Sequence, residues 1–249
     1  MSATFDWHPP RNSAYLISIM SKFTTITELN PSEDLLLKAK GPYATILADP
    51  PWQFQNRTGK VAPEHRRLLR YPTMELKEIM DLPVSKVAAA KSHLYLWVPN
   101  ALLLEGLKVM ESWGFTYKTN IVWYKIRKDG GPDGRGVGFY FRNVTELLLF
   151  GVKGSMRTLK PGRTQVNLFP TRKREHSRKP DEVFDIIESC SPGPYLELFA
   201  RFARPGWCQW GNEDVEENSF YGVGKRNGHA DKQLRFFESP KGYAAKCSD

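Results

Sequence analysis

Ile46-Leu47-Ala48-Asp49-Pro50-Pro51-Trp52 joins an apolar run to an acid, two prolines and an indole. The pattern predicts a buried parallel strand, about Tyr43 to Ala48, whose carboxyl end stops at a rigid turn. In open α/β sheets that edge is where ligands bind. Pro50 and Pro51 carry no N–H donors, which leaves nearby carbonyls free to accept hydrogen bonds from a ligand. Asp49 adds an anionic acceptor, and Trp52 a flat apolar face for a planar heterocycle. Together they describe a clamp for an exocyclic amine. The bland reading of the same string is a turn after a core strand, with Asp49 capping the next helix and Trp52 in the core.

Outward from this turn, strand and helix patterns alternate. A helix is expected over Glu75–Met80 and a second short helical segment from Pro83 to Ala90. A strand follows over His93–Val98, then a helix over Ala101–Trp113 with Leu103, Leu107 and Met110 on one face and Gly114 as its stop. Strands are expected over Asn120–Lys125 and Asn143–Val152. Pro180, Asp181 and Glu182 open a further helix that buries Val183, Phe184 and Ile187, because proline and acids suit a first turn. Ser191-Pro192-Gly193 ends it, and strands Tyr195–Ala200 and Trp207–Gly211 complete the domain. This order predicts an α/β fold with a doubly wound, mostly parallel sheet. Residues 1–40 are expected to be a lead-in packing on the domain, 41–213 the domain itself, and 214–249 an appendage.

The chain has 249 residues, with 36 Lys+Arg against 27 Asp+Glu, a formal charge of +9 that favours polyanionic partners. Two basic stretches stand out. Gln53–Arg70 carries Arg57, Lys60, Arg66, Arg67 and Arg70 directly after the clamp, and reads as a lid, a nucleic-acid guide or a solvated loop. Lys153–Arg178 is a second basic excursion with no evident core pattern. Lys128–Gly138 is glycine-rich but lacks the Lys-Ser/Thr ending of a phosphate-binding loop, which excludes nucleoside triphosphate hydrolysis. Cys190, Cys208 and Cys247 and the five histidines are scattered, so no metal site is expected. No apolar run reaches membrane-spanning length and no signal-peptide pattern opens the chain, so a cytoplasmic location is expected.

Taken in order, a set of short motifs resembles the MT-A70 family of S-adenosylmethionine-dependent adenine-N6 methyltransferases. They are Asp49-Pro50-Pro51-Trp52, Tyr71 with Thr73-Met74, Leu96-Trp97-Val98, Trp113-Gly114-Phe115, Trp123 with Lys125, and Glu146 before Leu147-Leu148. Ser177-Arg178-Lys179-Pro180-Asp181-Glu182, Glu197-Leu198-Phe199-Ala200-Arg201 and Gly211-Asn212-Glu213 follow. The resemblance implies a Rossmann-like sheet with permuted motif order, the clamp early and the cofactor pocket late. It implies that Asp49, Pro50, Pro51 and Trp52 hold the target adenine. It implies further that Lys179 pairs with the cofactor's methionine carboxylate and that Glu197 to Arg201, Phe199 included, form much of the pocket. Arg201, Asn212 and Glu213 would meet the ribose, and Asp49 would lie near both methionine moiety and target amine. Some relatives have Asn-Gln where this chain has Asn212-Glu213.

Substrate contacts are expected from Trp52, Arg57, Arg66, Arg67, Arg70, Tyr71, Trp123 and Glu146. Trp123 and Tyr71 also read as core aromatics, and Glu146 as a buried partner for an arginine such as Arg142. Arg201 with Glu197 also reads as a structural ion pair, and Lys179 as a solvated residue before a helix. Trp97, Trp113, Phe115 and Trp210 read as core. DNA is favoured over RNA as the polymer, with a catalytically silent nucleic-acid-binding scaffold as the competing class. A degenerate clamp would mark the scaffold, and this clamp is intact. A homodimer or a partner subunit stays open as a source of target context.

Overall fold

The computed structural model describes residues 29–53, 73–134, 140–172 and 179–211. Its centre is β1 (Tyr43–Ala48), where apolar residues face both ways. Ile46 and Ala48 enter one core layer and Leu47 the other, all at most 3% exposed. Strands buried on both faces read as continuous apolar runs rather than alternating ones. β2 (Ala88–Val98) repeats the pattern, with Leu94, Leu96 and Val98 on one side and Tyr95 and Trp97 on the other.

The sheet is completed by β3 (Thr116–Ile126), β4 (Thr145–Lys153), β5 (Leu168–Arg172), β6 (Tyr195–Leu198) and β7 (Trp207–Trp210), in the order β5-β3-β4-β2-β1-β6-β7. Only β4 runs against its neighbours; the other four pairings are parallel, so every remaining strand runs parallel to β1. The chain leaves β1 toward β2 on one side and returns as β6 on the other. The β1/β6 boundary is therefore the switch point at which open α/β sheets bind ligands.

Helices α1 (Pro31–Lys38), α2 (Leu76–Asp81), α3 (Val84–Val87) and α4 (Leu103–Ser112) supply the first core layer, and α5 (Glu182–Cys190) covers the other. Gly114 ends the α4 turn at φ 81°, a left-handed conformation that a side chain resists. Within the lead-in, α1 docks through fully buried Leu35, and its Asp34 accepts a 2.8 Å bond from Trp210 Nε1. Residues 1–28 and 212–249 lie outside the described residues.

Several local expectations need correction. The segment read as helical to Ala90 stops at Val87, because Ala88 already pairs with Tyr43 in the sheet. The α4 face is centred on Gly106, Val109 and Met110, while Leu103 is 37% exposed, since a 3-10 turn over Asn100–Leu102 rotates the helix start. The basic excursion from Lys153 contains β5, an edge strand whose Pro170 hid it; edges are where a sheet tolerates proline.

Candidate active site

Strand periodicity gathers the charged side chains on one face of one edge. Alternate residues share a face, so Asp49 follows Leu47, Lys125 follows Trp123 and Glu197 follows Tyr195, all on the α5 side. β4, running backwards, delivers its first residues to this edge, and Glu146 pairs with Trp123. Lys179 arrives from the segment immediately before α5.

The Lys179 ammonium donates to both Asp49 carboxylate oxygens at 2.8 Å and lies 3.0 Å from Glu146 Oε1. Glu146 Oε2 accepts from Lys125 Nζ at 2.8 Å. Two cations and two anions thus alternate along Lys125–Glu146–Lys179–Asp49 and sum to zero. Indole rings lie beneath the cations, Trp97 with its centroid 5.3 Å from Lys179 Nζ and Trp123 at 4.6 Å from Lys125 Nζ. The two rings meet edge to face at 6.1 Å.

Burial raises the Asp49 carboxyl above the usual carboxylate range, against the opposing pull of Lys179. Burial acts the same way on Glu146, but Lys179 and Lys125 together outweigh it and bring that group down to about 2. Burial disfavours the Lys179 charge, yet Asp49 and Glu146 more than compensate and hold the ammonium above its ordinary range. Among the described residues no cation pairs with Glu197 in this way. Burial pushes it up to about 7, with a 3.1 Å bond from Gln209 offsetting part of the effect.

Beside this cluster, a cleft of about 600 Å³, open mouth included, follows the β1/β6 boundary and is lined by Leu47, Asp49, Lys179, Glu197, Phe199 and Arg201. Phe199 has φ 63°, which a non-glycine residue adopts at a cost of about 1–3 kcal/mol. Such strain concentrates at functional sites. Trp97 also lines the cleft, and its buried Nε1–H has no acceptor among the described residues. The proline turn is fastened from three sides. Trp52 N donates to the Pro50 carbonyl at 2.8 Å, Met74 N to the Pro51 carbonyl at 3.0 Å, and Trp52 Nε1 to the Trp97 carbonyl at 2.9 Å.

The MT-A70 family model matches residues 43–213, well over half of the sequence. The chain belongs to the MT-A70 family. It is an enzyme, a methyltransferase. It is 31% identical over 204 residues to the Type II methyltransferase M.MunI of a Mycoplasma species, spanning 75% of this chain and 84% of that protein. It is 29% identical over 177 residues to the human N(6)-adenosine-methyltransferase catalytic subunit METTL3, spanning 70% of this chain and 28% of that protein. A putative N(6)-adenosine-methyltransferase of Medicago truncatula is 31% identical over 179 residues, 26% of its length. The chain therefore spans most of the Mycoplasma relative but only about a quarter of the others.

Among the described residues of this MT-A70 chain, Asp49, Lys179, Glu197, Phe199 and Arg201 share the cleft, and Glu146 joins them through Lys179. Arg57, Arg66, Arg67, Arg70, Tyr71, Asn212 and Glu213 lie outside the described residues. Four expectations change. The proline carbonyls are not vacant, because Trp52 N reaches that of Pro50 and Met74 N that of Pro51; each oxygen keeps one lone pair for a ligand. Trp52 is 6% exposed and packs in the helix-side core, so its ring anchors the turn. Trp123 is 2% exposed, its Nε1 donating to Thr171 Oγ1 at 2.7 Å, and supports Lys125 from below. The partners of Glu146 are lysines rather than an arginine. Sequence reading passed over Lys125 as a site residue and left Trp97 in the core. The available signal was strand period, which places Lys125 on the face of Trp123 and Trp97 on that of Tyr95.

No described helix is long and apolar enough to cross a membrane, and no described group of His, Cys, Asp and Glu is arranged to hold a metal ion.

Proposed function

We propose that this MT-A70 enzyme takes a methyl group from S-adenosylmethionine to N6 of adenine in nucleic acid, with DNA as the polymer. The observation that carries the reading is Asp49, fixed by Lys179 at the β1/β6 switch point and followed by an intact Pro50-Pro51-Trp52 turn.

The side chains present suit the cofactor. Lys179 offers a cation to its carboxylate, Asp49 and Glu197 offer anions to its ammonium and hydroxyl donors, and Leu47 with Phe199 offers apolar walls. The Trp97 Nε1–H, which meets no acceptor among the described residues, is a further donor. Asn212 and Glu213, on the motif match, complete the ribose contacts. Because Asp49 and Glu146 already engage all three positions around the Lys179 ammonium, the cofactor's carboxylate must share one of them.

Bound here, S-adenosylmethionine supplies a methyl group activated by its positive sulfonium. The chain's own work is on the amine. Adenine N6 is a poor nucleophile because its lone pair is delocalised into the ring. Asp49 and the spare lone pair of the Pro50 carbonyl accept its two hydrogens and favour the pyramidal, nucleophilic geometry. The raised proton affinity of Asp49 strengthens it as an acceptor and gives the departing amine proton a place to go. Holding the two reactants in line contributes about 7–11 kcal/mol of barrier lowering. A target inside a duplex must first be flipped out, at a cost of a few kcal/mol.

DNA follows the relative matched over most of its length, the Type II methyltransferase. Adenosine, in the names of the plant and human relatives, is a ribonucleoside, which makes RNA the second reading. Incubation with labelled S-adenosylmethionine and matched single-stranded DNA, duplex DNA and RNA separates them. Label is expected as N6-methyladenine in DNA; label confined to RNA overturns the polymer, and no label on any of them overturns the reaction.

Glu197 makes the cofactor site pH-sensitive. Ionised, it accepts on both oxygens with a full negative charge, whereas protonated it turns one oxygen into a donor, so affinity for S-adenosylmethionine should tighten about tenfold from pH 6 to pH 8, for a group near 7. Calorimetric titration of Glu197→Gln should show no such trend. The stability trend has the opposite sign. The folded value lies above the usual 4.5, so wild type loses up to about 3 kcal/mol as pH rises from 4.5 to 7, and Glu197→Gln flattens that slope. A variant that keeps either trend removes Glu197 from this role.

A further inference from the structure

At the end of the sheet opposite the reaction edge, where β3 begins and β4 ends, lies a shallow dish of about 900 Å³, open mouth included. Phe150, Val152 and Met156 form its apolar floor, and Lys118, Arg157 and Arg163 stand around it. Among the described residues no carboxylate lines it, and none pairs with any of the three cations. The loop that carries two of them is nailed to the fold. The Met156 carbonyl meets His93 Nε2 at 3.3 Å, and Leu159 N donates to the Cys190 carbonyl at 2.8 Å. Gly162 packs so tightly on Cys190 that a Cβ there would come within 2.5 Å of its sulfur. Arg163 Nε donates to the Thr158 carbonyl at 3.1 Å, which aims the guanidinium and leaves its other donors to spare. Like charges fixed together without acids repel one another, and an anion in the dish relieves that repulsion.

The shape selects the kind of anion. A single phosphate favours an enclosed nest, whereas spread cations over an open apolar floor suit an extended chain of phosphates with sugars and bases between them. From Glu146, at the reaction edge, β4 runs six residues to Val152, or about 20 Å at 3.3 Å per residue. We propose that this dish grips the phosphodiester backbone of the nucleic-acid substrate roughly 20 Å from the target base. The inference rests on the proposed function and adds to it a second contact, remote from the chemistry.

The test compares an oligonucleotide of about 3 nucleotides with the target adenine at its centre, too short to span that distance, with one of about 25 bearing the same adenine. Lys118→Ala/Arg157→Ala/Arg163→Ala should weaken the long oligonucleotide tenfold or more and make log Kd against log salt shallower by about 2–3. Its affinity for the short oligonucleotide and for S-adenosylmethionine should match wild type. Arg157→Ala alone, at an exposed position, should give about a third of the salt-slope change and guards against misfolding of the triple variant. Unchanged binding of the long oligonucleotide overturns the inference, as does equal weakening of both. Competition by millimolar inorganic phosphate at the dish, with long-oligonucleotide affinity intact in the triple variant, makes it a small-anion site instead and likewise overturns it. If wild type neither binds nor methylates nucleic acid, the proposed function itself falls; if it methylates both lengths and the triple variant is indistinguishable, only the dish does.

Discussion

Asp49→Asn should lower kcat for methyl transfer about 10³-fold while leaving the protein folded. The substitution keeps the shape of the side chain but removes its charge and its capacity to take a proton. One acceptor of the pair that shapes the amine is turned partly into a donor, facing hydrogens it must receive. Loss of a preorganised charge-stabilising group costs about 10²–10³ in rate, and loss of proton acceptance costs a comparable factor where the two roles are separable. The fold has little reason to fail, because Lys179 keeps its 3.0 Å contact with Glu146 and Glu146 keeps Lys125. Thermal melting should therefore move by far less than turnover does. Single-turnover kinetics with labelled S-adenosylmethionine isolate the chemical step from product release. Turnover within threefold of wild type removes Asp49 from the mechanism.

The legible part of this fold was the part governed by one period. The apolar run of β1, ended by two prolines, located the central strand and its carboxyl edge, and α5 was readable because Glu182 in its first turn agreed with the apolar face of Val183, Phe184 and Ile187, although Pro180 lies before the helix and Asp181 makes no side-chain cap. β5 was not legible, since Leu168-Phe169-Pro170-Thr171-Arg172 contains a proline that a central strand would reject and only sheet position excuses. The site divides the same way. Asp49 announces itself through the residues after it, but the partners of Glu146 depend on a reversed strand and on a segment 33 residues downstream meeting at one edge, which no local pattern encodes. The filled Pro51 carbonyl and the buried Trp52 were hidden for a related reason: both are decided by groups far along the chain, Met74 N and the Trp97 carbonyl. Sequence pattern thus finds which residues carry chemistry more readily than what each one is bonded to.

Lys179→Met should reverse the way the cluster responds to pH. In wild type, Glu146 has a folded value near 2 against its usual 4.5, so the stability it contributes is fully present above 4.5 and is lost as pH falls toward 2. Methionine fills similar volume but leaves Asp49 and Glu146 as neighbouring buried anions with Lys125 as their remaining cation. Removing one partner of a buried charge pair costs about 3–5 kcal/mol. Part of that is recovered when a carboxyl takes up a proton, because burial and the neighbouring anion then raise a folded value above the unfolded one. Such a group stabilises the fold at low pH and loses that advantage as pH rises. The destabilisation of Lys179→Met relative to wild type should accordingly grow from pH 4.5 to pH 8 in urea titrations, and groups common to both proteins cancel in the difference. Adding Asp49→Asn to Lys179→Met removes one of the stranded anions and should restore part of the stability at pH 8 without restoring methyl transfer. A destabilisation independent of pH, or a double variant no more stable than the single one, would mean that Lys179 supports the fold by packing and not by neutralising the two carboxylates.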